Sequence, residues 1–338
     1  MSGPTILFVV NAGADVGGGH VMRSLTLAQA LQAQGARCRF VGPGPVGVLI
    51  KAFAPDMDHV TTDDLTTTVS GETFEAMVFD HYGLAEPEHR QMAAGRPVLV
   101  VDDLADRALG ADLVLDAGPA RKAEDYLRFT PAETRLLLGP NFAAVRPEFA
   151  ALRAPALAWR GEPVQRVLVS LGLTDIDGIT ARIVERLRPR IHDIGIDIVL
   201  GAEAASLSSL TRVARHDPRL MVHVDTPHMA RLTAEADLGV GAPGSSAWER
   251  CVLGLPSILV ILAANQRPAA QALEAQGAAL VVDLLASDFE ASFDRALMKL
   301  LRDGETRRTL ATRSAEVCDG LGAGRTAEAF LRLIASRA

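Results

Sequence analysis

Short apolar runs, each followed by a stretch with apolar residues at helical spacing, recur along the whole chain and constrain its fold more than any other feature. Thr5–Val10 is the first such run, as expected of a strand buried on both faces. Val21–Gln34 carries the helical period, and Gly35 is placed to stop it. Further strands are predicted at Cys38–Val41, Ala76–Phe79, Val98–Val101, Leu113–Leu115 and Arg135–Leu138, with helices between most of them. This rhythm builds a parallel sheet covered on both faces. The stretch Arg146–Pro163 then breaks it: Pro147, Pro155 and Pro163 fall there with little periodicity, which marks a domain boundary. A second series follows, with strands at Arg166–Leu171, Asp197–Leu200, Leu220–His223, Leu238–Val240 and Ser257–Ile261. Its helices are predicted at Ile179–Leu187, Pro227–Glu235, Ser245–Leu253 and Gln266–Gln276. From Asp288 onward the chain reads as three helices broken near Gly304 and Leu321–Gly324. The expected fold class is α/β, with two Rossmann-like domains over 1–155 and 156–338, a cleft between them, and the last helix able to pack back on the first domain. A length of 338 residues suits two domains.

The bulk chemistry narrows the partners. A net charge of −7 argues against nucleic acid or an anionic membrane as the main partner. No apolar run approaches the ~20 residues that span a bilayer, and Met1–Val10 has neither a basic leader region nor a small-residue cleavage site. Cys38, Cys251 and Cys318 have no metal or redox spacing, and read as buried small residues. A cytoplasmic enzyme with a small-molecule substrate is the expectation.

In open α/β sheets ligands bind beyond the carboxyl ends of the strands, so the chemistry is sought in those loops. Gly17-Gly18-Gly19-His20 follows the first strand and opens the first helix. Glycines let a ligand approach the backbone there, and helix amides favour an anion. A histidine at a helix N-terminus tends to be neutral and able to accept a proton, while a nearby diphosphate pushes the other way. The alternative is a glycine turn with a packed histidine. Gly42-Pro43-Gly44-Pro45-Val46-Gly47 matches the dinucleotide pattern literally, but Pro43 and Pro45 lack N–H donors, so it is read as a plain turn. Asp80-His81-Tyr82-Gly83 ends a strand with polar groups, as a site or as a capped loop. Ser170-Leu171-Gly172-Leu173-Thr174-Asp175 could hold phosphate. Asp175-Ile176-Asp177 superficially resembles a metal-binding D-x-D, but Asp177 is expected to cap the helix near Ile179, so no metal is expected. Gly241 to Arg250 places a Gly/Ser loop between a strand and a helix, suited to a diphosphate through Gly244, Ser245 and Ser246, with Glu249 able to accept from ribose hydroxyls. Asn265-Gln266 follows the next strand and can meet a sugar or phosphate, or simply cap a helix. The other histidines show no mutual metal spacing.

Taken together, Gly17-Gly18-Gly19-His20-Val21-Met22-Arg23, Asp80-His81-Tyr82, Ser245-Ser246-Ala247-Trp248-Glu249-Arg250, Gly254-Leu255-Pro256 and Asn265-Gln266 resemble the pseudaminic acid pathway hydrolases. The resemblance also takes in Leu138-Gly139-Pro140, Arg146-Pro147-Glu148-Phe149 and Leu168 to Asp175. It departs at Val9-Val10-Asn11-Ala12-Gly13, where many members carry Arg-x-Asp-x-Ser. Those enzymes cleave UDP-2,4-diacetamido-2,4,6-trideoxy-β-L-altropyranose, share the GT-B fold with the glycosyltransferase that makes lipid II, and need neither metal nor cofactor. The resemblance implies His20 as catalytic base, with Tyr82 and Asn265 in the active site. It places UDP on Gly244 to Glu249. The chemistry adds Gly18, Gly19 and His81 on the sugar side, Arg23 on the departing anion, Gly172, Thr174, Ser245 and Ser246 around the phosphates, and Gln266 toward a sugar or phosphate. The rivals are an inverting GT-B glycosyltransferase with the same donor and a non-catalytic UDP-sugar binder.

Overall fold

The computed structural model describes residues 3–13 and 17–337. The chain divides into two compact units, Met1–Val145 with Leu321–Ala338, and Arg146–Gly320.

The first unit runs β1 (Thr5–Val10), α1 (Gly19–Gln32), β2 (Arg37–Gly42), α2 (Gly44–Phe53), β3 (Asp58–Thr61), α3 (Leu65–Ser70), β4 (Ala76–Asp80), α4 (Glu86–Ala93), β5 (Val98–Val101), β6 (Leu113–Asp116) and β7 (Arg135–Leu138). The strands form one seven-stranded sheet in the order β3-β2-β1-β4-β5-β6-β7, with every pair parallel. Alternate residues of a strand face opposite sides, and β1 shows the result. Ile6, Phe8 and Val10 pack with Val21, Leu25 and Ala28 of α1, whereas Leu7 and Val9 join Val69 and Met92 from α3 and α4. Phe8 stacks on Phe40 of β2 at 4.8 Å.

The second unit runs α5 (Pro147–Leu157), β8 (Arg166–Ser170), α6 (Ile179–Leu187), β9 (Gly195–Leu200), α7 (Leu207–Ala214), β10 (Leu220–Val224), α8 (Met229–Glu235), β11 (Leu238–Gly241), α9 (Ser245–Val252), β12 (Ser257–Ile261), α10 (Arg267–Ala275), β13 (Leu280–Asp283), α11 (Phe289–Arg302) and α12 (Gly304–Val317). Its six strands, also parallel, take the order β10-β9-β8-β11-β12-β13. Val167 and Val169 of β8, Ile183 and Leu187 of α6, and Phe289 and Phe293 of α11 share its core. The final helix, α13 (Gly322–Arg337), belongs to the first unit, where Ala327, Phe330 and Ile334 enter the core beside β1. Among the described residues, no helix is long and apolar enough to cross a membrane.

Four sequence readings change. The edge strands β3 and β13 were not foreseen, and the polar Asp58-His59-Val60-Thr61 carries no apolar run to betray a strand. Gly42–Gly47 is not a plain turn: Gly42 ends β2, Pro43 is the N-cap, and Pro45 lies in the first turn of α2. The stretch read as a linker contains α5, whose only buried residues are Phe149 and Ala156, so it presents no apolar stripe to read. The helix cap near Ile179 is Asp175, not Asp177. The buried Asp175 carboxylate accepts from Thr180 N and Ser206 N at 2.8 Å each, while Asp177 is exposed at a left-handed φ of 51°.

Candidate functional site

Both sheets have a strand-order reversal, and the predicted loops after β1, β4, β8 and β11 lie at one, whereas Asn265-Gln266 follows β12, one strand farther out. In the first unit the order turns outward on either side of β1 and β4, so the loops after these strands diverge and leave a crevice at their carboxyl ends. His20 enters at the second residue of α1, whose N-cap, Gly18, has no side chain to satisfy the first amides. Gly17 takes a φ of 74°, the left-handed region glycine favours, and Gly19 is exposed.

His20 is buried and its Nδ1 lies 2.6 Å from Oδ1 of Asp80, the last residue of β4. Asp80 is fully buried and its carboxylate is surrounded by donors. Arg23 gives Nη2 to Oδ1 at 2.6 Å and Nε to Oδ2 at 2.7 Å, and Ser24 Oγ donates to Oδ2 at 3.0 Å. Burial pushes the Asp80 carboxyl up, but the Arg23 guanidinium and His20 outweigh it and hold it well below the usual carboxylate range. An ionised Asp80 against Nδ1 takes the N–H of the neutral imidazole, so Nε2 carries the free lone pair.

Around this pair the unit gathers Asp103 and Tyr82. Arg23 Nη1 donates to Asp103 Oδ2 at 2.8 Å, and Tyr82 Oη donates to Asp103 Oδ1 at 2.5 Å. The Tyr82 ring meets the His20 ring edge-on, 4.4 Å between centroids and 82° between planes. Burial and the adjoining Asp103 push the Tyr82 phenol far up, so it stays protonated. His81 Nδ1 accepts from Gly83 N at 3.0 Å, and burial and the neighbouring His20 pull its pKa down. Two carboxylates against one guanidinium leave the cluster with one negative charge, which a proton on His20 would cancel. Arg23, expected on the substrate's anion, commits three of its donors to Asp80 and Asp103.

In the second unit the order reverses between β8 and β11. Gly172, with a φ of 122°, and the exposed Thr174 follow β8. Gly244, Ser245 and Ser246 open α9 after β11, again with no side-chain cap at the Gly244 N-cap. Arg250 supports this loop from within: Nη2 donates to Ala242 O at 2.6 Å and Nη1 to Ser246 Oγ at 3.1 Å. A Cβ at Gly241 would fall 2.8 Å from the backbone carbonyl oxygen of Ser170 as well as 2.5 Å from Arg250 Nη1, so glycine is required there. Burial pulls Arg250 down to about 10. Glu249 Oε1 accepts from Arg146 Nη2 at 3.0 Å and Nε at 3.3 Å, and burial pushes its carboxyl up against that pairing. After β12, Asn265 is exposed, whereas Gln266 Oε1 accepts from Leu262 N at 2.9 Å. Among the described residues, no group of three His, Cys, Asp or Glu is placed to hold a metal ion.

The structure thus assembles His20, Arg23, His81 and Tyr82 in one unit, and Gly244, Ser245, Ser246 and Glu249 in the other. Sequence reasoning missed Asp80 as partner of His20, missed Asp103, and gave no role to Arg146 and Arg250, although both stand in the blocks that carry the resemblance. Asp80 and Asp103 stand at strand ends, where the same search of loops would have found them.

No family model matches the chain. It is 22% identical over 277 residues to the UDP-2,4-diacetamido-2,4,6-trideoxy-beta-L-altropyranose hydrolase of Campylobacter jejuni, covering 80% of this chain and 97% of that one. It is 21% identical over 266 residues to an uncharacterized protein of Methanocaldococcus jannaschii, covering 75% of this chain but only 55% of that longer protein. Among solved structures, Acinetobacter baumannii MurG superposes with a TM-score of 0.65 at 15% identity, over 97% of this chain and 99% of that one. With its two parallel sheets, this chain has the GT-B fold of two Rossmann-like domains.

Proposed function

We propose that this chain is a cytoplasmic, nucleotide-sugar-processing GT-B enzyme, and specifically that it hydrolyses UDP-2,4-diacetamido-2,4,6-trideoxy-β-L-altropyranose to UDP and the free sugar. That places it in pseudaminic acid biosynthesis, which supplies surface or flagellin glycosylation. The reading is carried by His20, whose Nδ1 is held 2.6 Å from a buried, ionised Asp80 at the sheet's reversal point. The aligned C. jejuni hydrolase supports the substrate class.

In this scheme a water attacks the anomeric carbon on the face opposite the diphosphate, and its proton passes to His20 Nε2. The bond from the anomeric carbon to the diphosphate oxygen breaks, its electron pair leaves with UDP, and configuration inverts. The Asp80–Arg23–Asp103 cluster, one negative charge in excess, compensates the imidazolium as it forms. Tyr82 walls the imidazole, and its oxygen remains an acceptor for a sugar hydroxyl. Gly18 and Gly19 admit the substrate to the backbone, and His81, with Nδ1 occupied, offers Nε2–H. Gly172, Thr174, Gly244, Ser245 and Ser246 take the diphosphate, Glu249 the ribose, and Asn265 and Gln266 the sugar–phosphate linkage. Two of Arg23's five donors remain for the departing charge. No metal or cofactor is invoked, since the diphosphate leaves readily and helix amides meet its charge.

An inverting transferase would use the same base on an acceptor hydroxyl. Purified protein incubated with the UDP-sugar and no acceptor separates the two: release of UDP and free sugar at catalytic turnover supports hydrolysis. UDP release that begins only when an acceptor is added would replace hydrolysis with transfer.

A further inference from the structure

Arg146-Pro147-Glu148-Phe149 is a sequence block with no part in the scheme above, and the structure gives it one. Pro147 occupies the first position of α5, where its missing N–H costs nothing. Phe149 is fully buried, and the Arg146 guanidinium lies over its ring at 5.2 Å from the centroid. Arg146 Nε also stands 3.6 Å from Glu148 Oε1. Held this way at the N-cap of α5, Arg146 directs both Nε and Nη2 onto a single oxygen, Oε1 of Glu249, 103 residues further on. Oε2 of Glu249 accepts from no protein donor among the described residues, and the side chain keeps 17% of its surface exposed. A carboxylate gripped by one oxygen is oriented without being used up.

We propose that Arg146 is a positioning residue for the nucleotide: it anchors one oxygen of Glu249 and so presents the other, as a fixed acceptor, to the ribose hydroxyls of a uridine diphosphate. This rests on the reading of Glu249 as the ribose acceptor. A hydrogen bond from a ribose hydroxyl to a carboxylate is worth about tenfold in affinity or more. The prediction is therefore about discrimination and not only about binding.

The test is calorimetric titration of the full chain with UDP, 2′-deoxy-UDP and 3′-deoxy-UDP. Wild-type protein should bind UDP at least about tenfold tighter than one of the deoxy analogues. In Arg146→Met that ratio should fall to within about twofold, while affinity for the deoxy analogue stays close to wild type, an outcome that mere loss of structure would not give. Arg146→Lys keeps the charge but not the two-donor grip, and should give an intermediate ratio. It also decides the matter if Arg146→Met does not fold. Wild-type discrimination retained in both folded variants, or in Arg146→Lys where it alone folds, overturns the role of Arg146 while leaving Glu249 in place. Wild-type protein that binds UDP and both analogues equally overturns the ribose role of Glu249 itself. No UDP binding at all overturns the nucleotide reading.

Discussion

Replacing Asp80 by asparagine strikes at the base without touching the residue that takes the proton. The native carboxylate receives Arg23 Nη2 and His20 Nδ1 on one oxygen, and Arg23 Nε and Ser24 Oγ on the other. An amide has one acceptor oxygen and one NH₂ group, so it fails in either orientation. With NH₂ toward His20, Nδ1 must become the acceptor and the proton moves to Nε2, where it blocks the base. With NH₂ toward Arg23 Nε, two donors oppose each other. In both, the cluster loses a negative charge, and a protonated His20 would add an uncompensated buried cation. At about 4 Å and an effective dielectric of about 20, the lost attraction is about 4 kcal/mol, or about 10³ in rate if it is fully felt at the transition state. That falls within the ~10²–10⁴ spanned by general-base catalysis. Leaving a buried charge short of its partner also costs about 3 kcal/mol of stability. UDP release under substrate saturation should thus fall about 10³-fold for Asp80→Asn, with urea unfolding run alongside to show that the variant is folded. A folded Asp80→Asn protein within about threefold of wild-type kcat would refute the claim that Asp80 sets the tautomer and charge of His20.

Three further outcomes follow from the same geometry. His20→Asn should lose about 10²–10⁴ in kcat while titration with UDP shows nearly unchanged affinity, since UDP is assigned to Gly244–Glu249; a parallel loss of UDP binding would move His20 out of the base role. Activity should survive excess EDTA, because both oxygens of Asp175 accept backbone N–H groups and Asp177 is left without a second carboxylate ligand; rescue by Mg²⁺ or Mn²⁺ after inhibition would reverse that reading. Asp80 and Asp103 are held below the usual carboxylate range chiefly by Arg23, which outweighs their burial, so their contribution to stability is present above a pH of about 4 and is lost as pH falls through their folded values. The urea midpoint should drop as pH is lowered from about 5 to about 2, and more shallowly in Arg23→Met; an identical slope in the two proteins would exclude this ion-pair cluster as the cause.

The elements that were legible in the sequence are those whose burial leaves a pattern. β1 from Ile6, and all of β4 and β12, are buried and read as short apolar runs, and the helix at Ile179–Leu187 shows its stripe. Of the elements not foreseen, β3 is a polar edge and α5 buries only two side chains around an internal Pro155, whereas β13 carries the apolar run Leu280-Val281-Val282 and was passed over. The site divides along the same line. Residues at strand ends announce themselves by position, as His20, Tyr82 and Gly244 do. Asp80 stands at a strand end too, but position does not announce which residues pair, because the pairing of His20 with Asp80 spans 60 residues and that of Arg146 with Glu249 spans 103. Local sequence carries no trace of which carboxylate a fold brings to which cation. Asp175 and Asp177 show the limit at short range, since both are two or four residues from the helix start and only the left-handed turn decides which carboxylate is buried beneath it.

Whether water activated by His20 attacks the anomeric carbon of a UDP-sugar is decided by following an oxygen isotope. The purified chain is incubated with UDP-2,4-diacetamido-2,4,6-trideoxy-β-L-altropyranose in ¹⁸O-water, and both products are weighed by mass spectrometry while NMR follows the anomeric proton. The free sugar should carry one ¹⁸O and UDP none, and the first-formed product should have inverted configuration. Label in the UDP phosphate would mean attack at phosphorus and would contradict attack at the anomeric carbon.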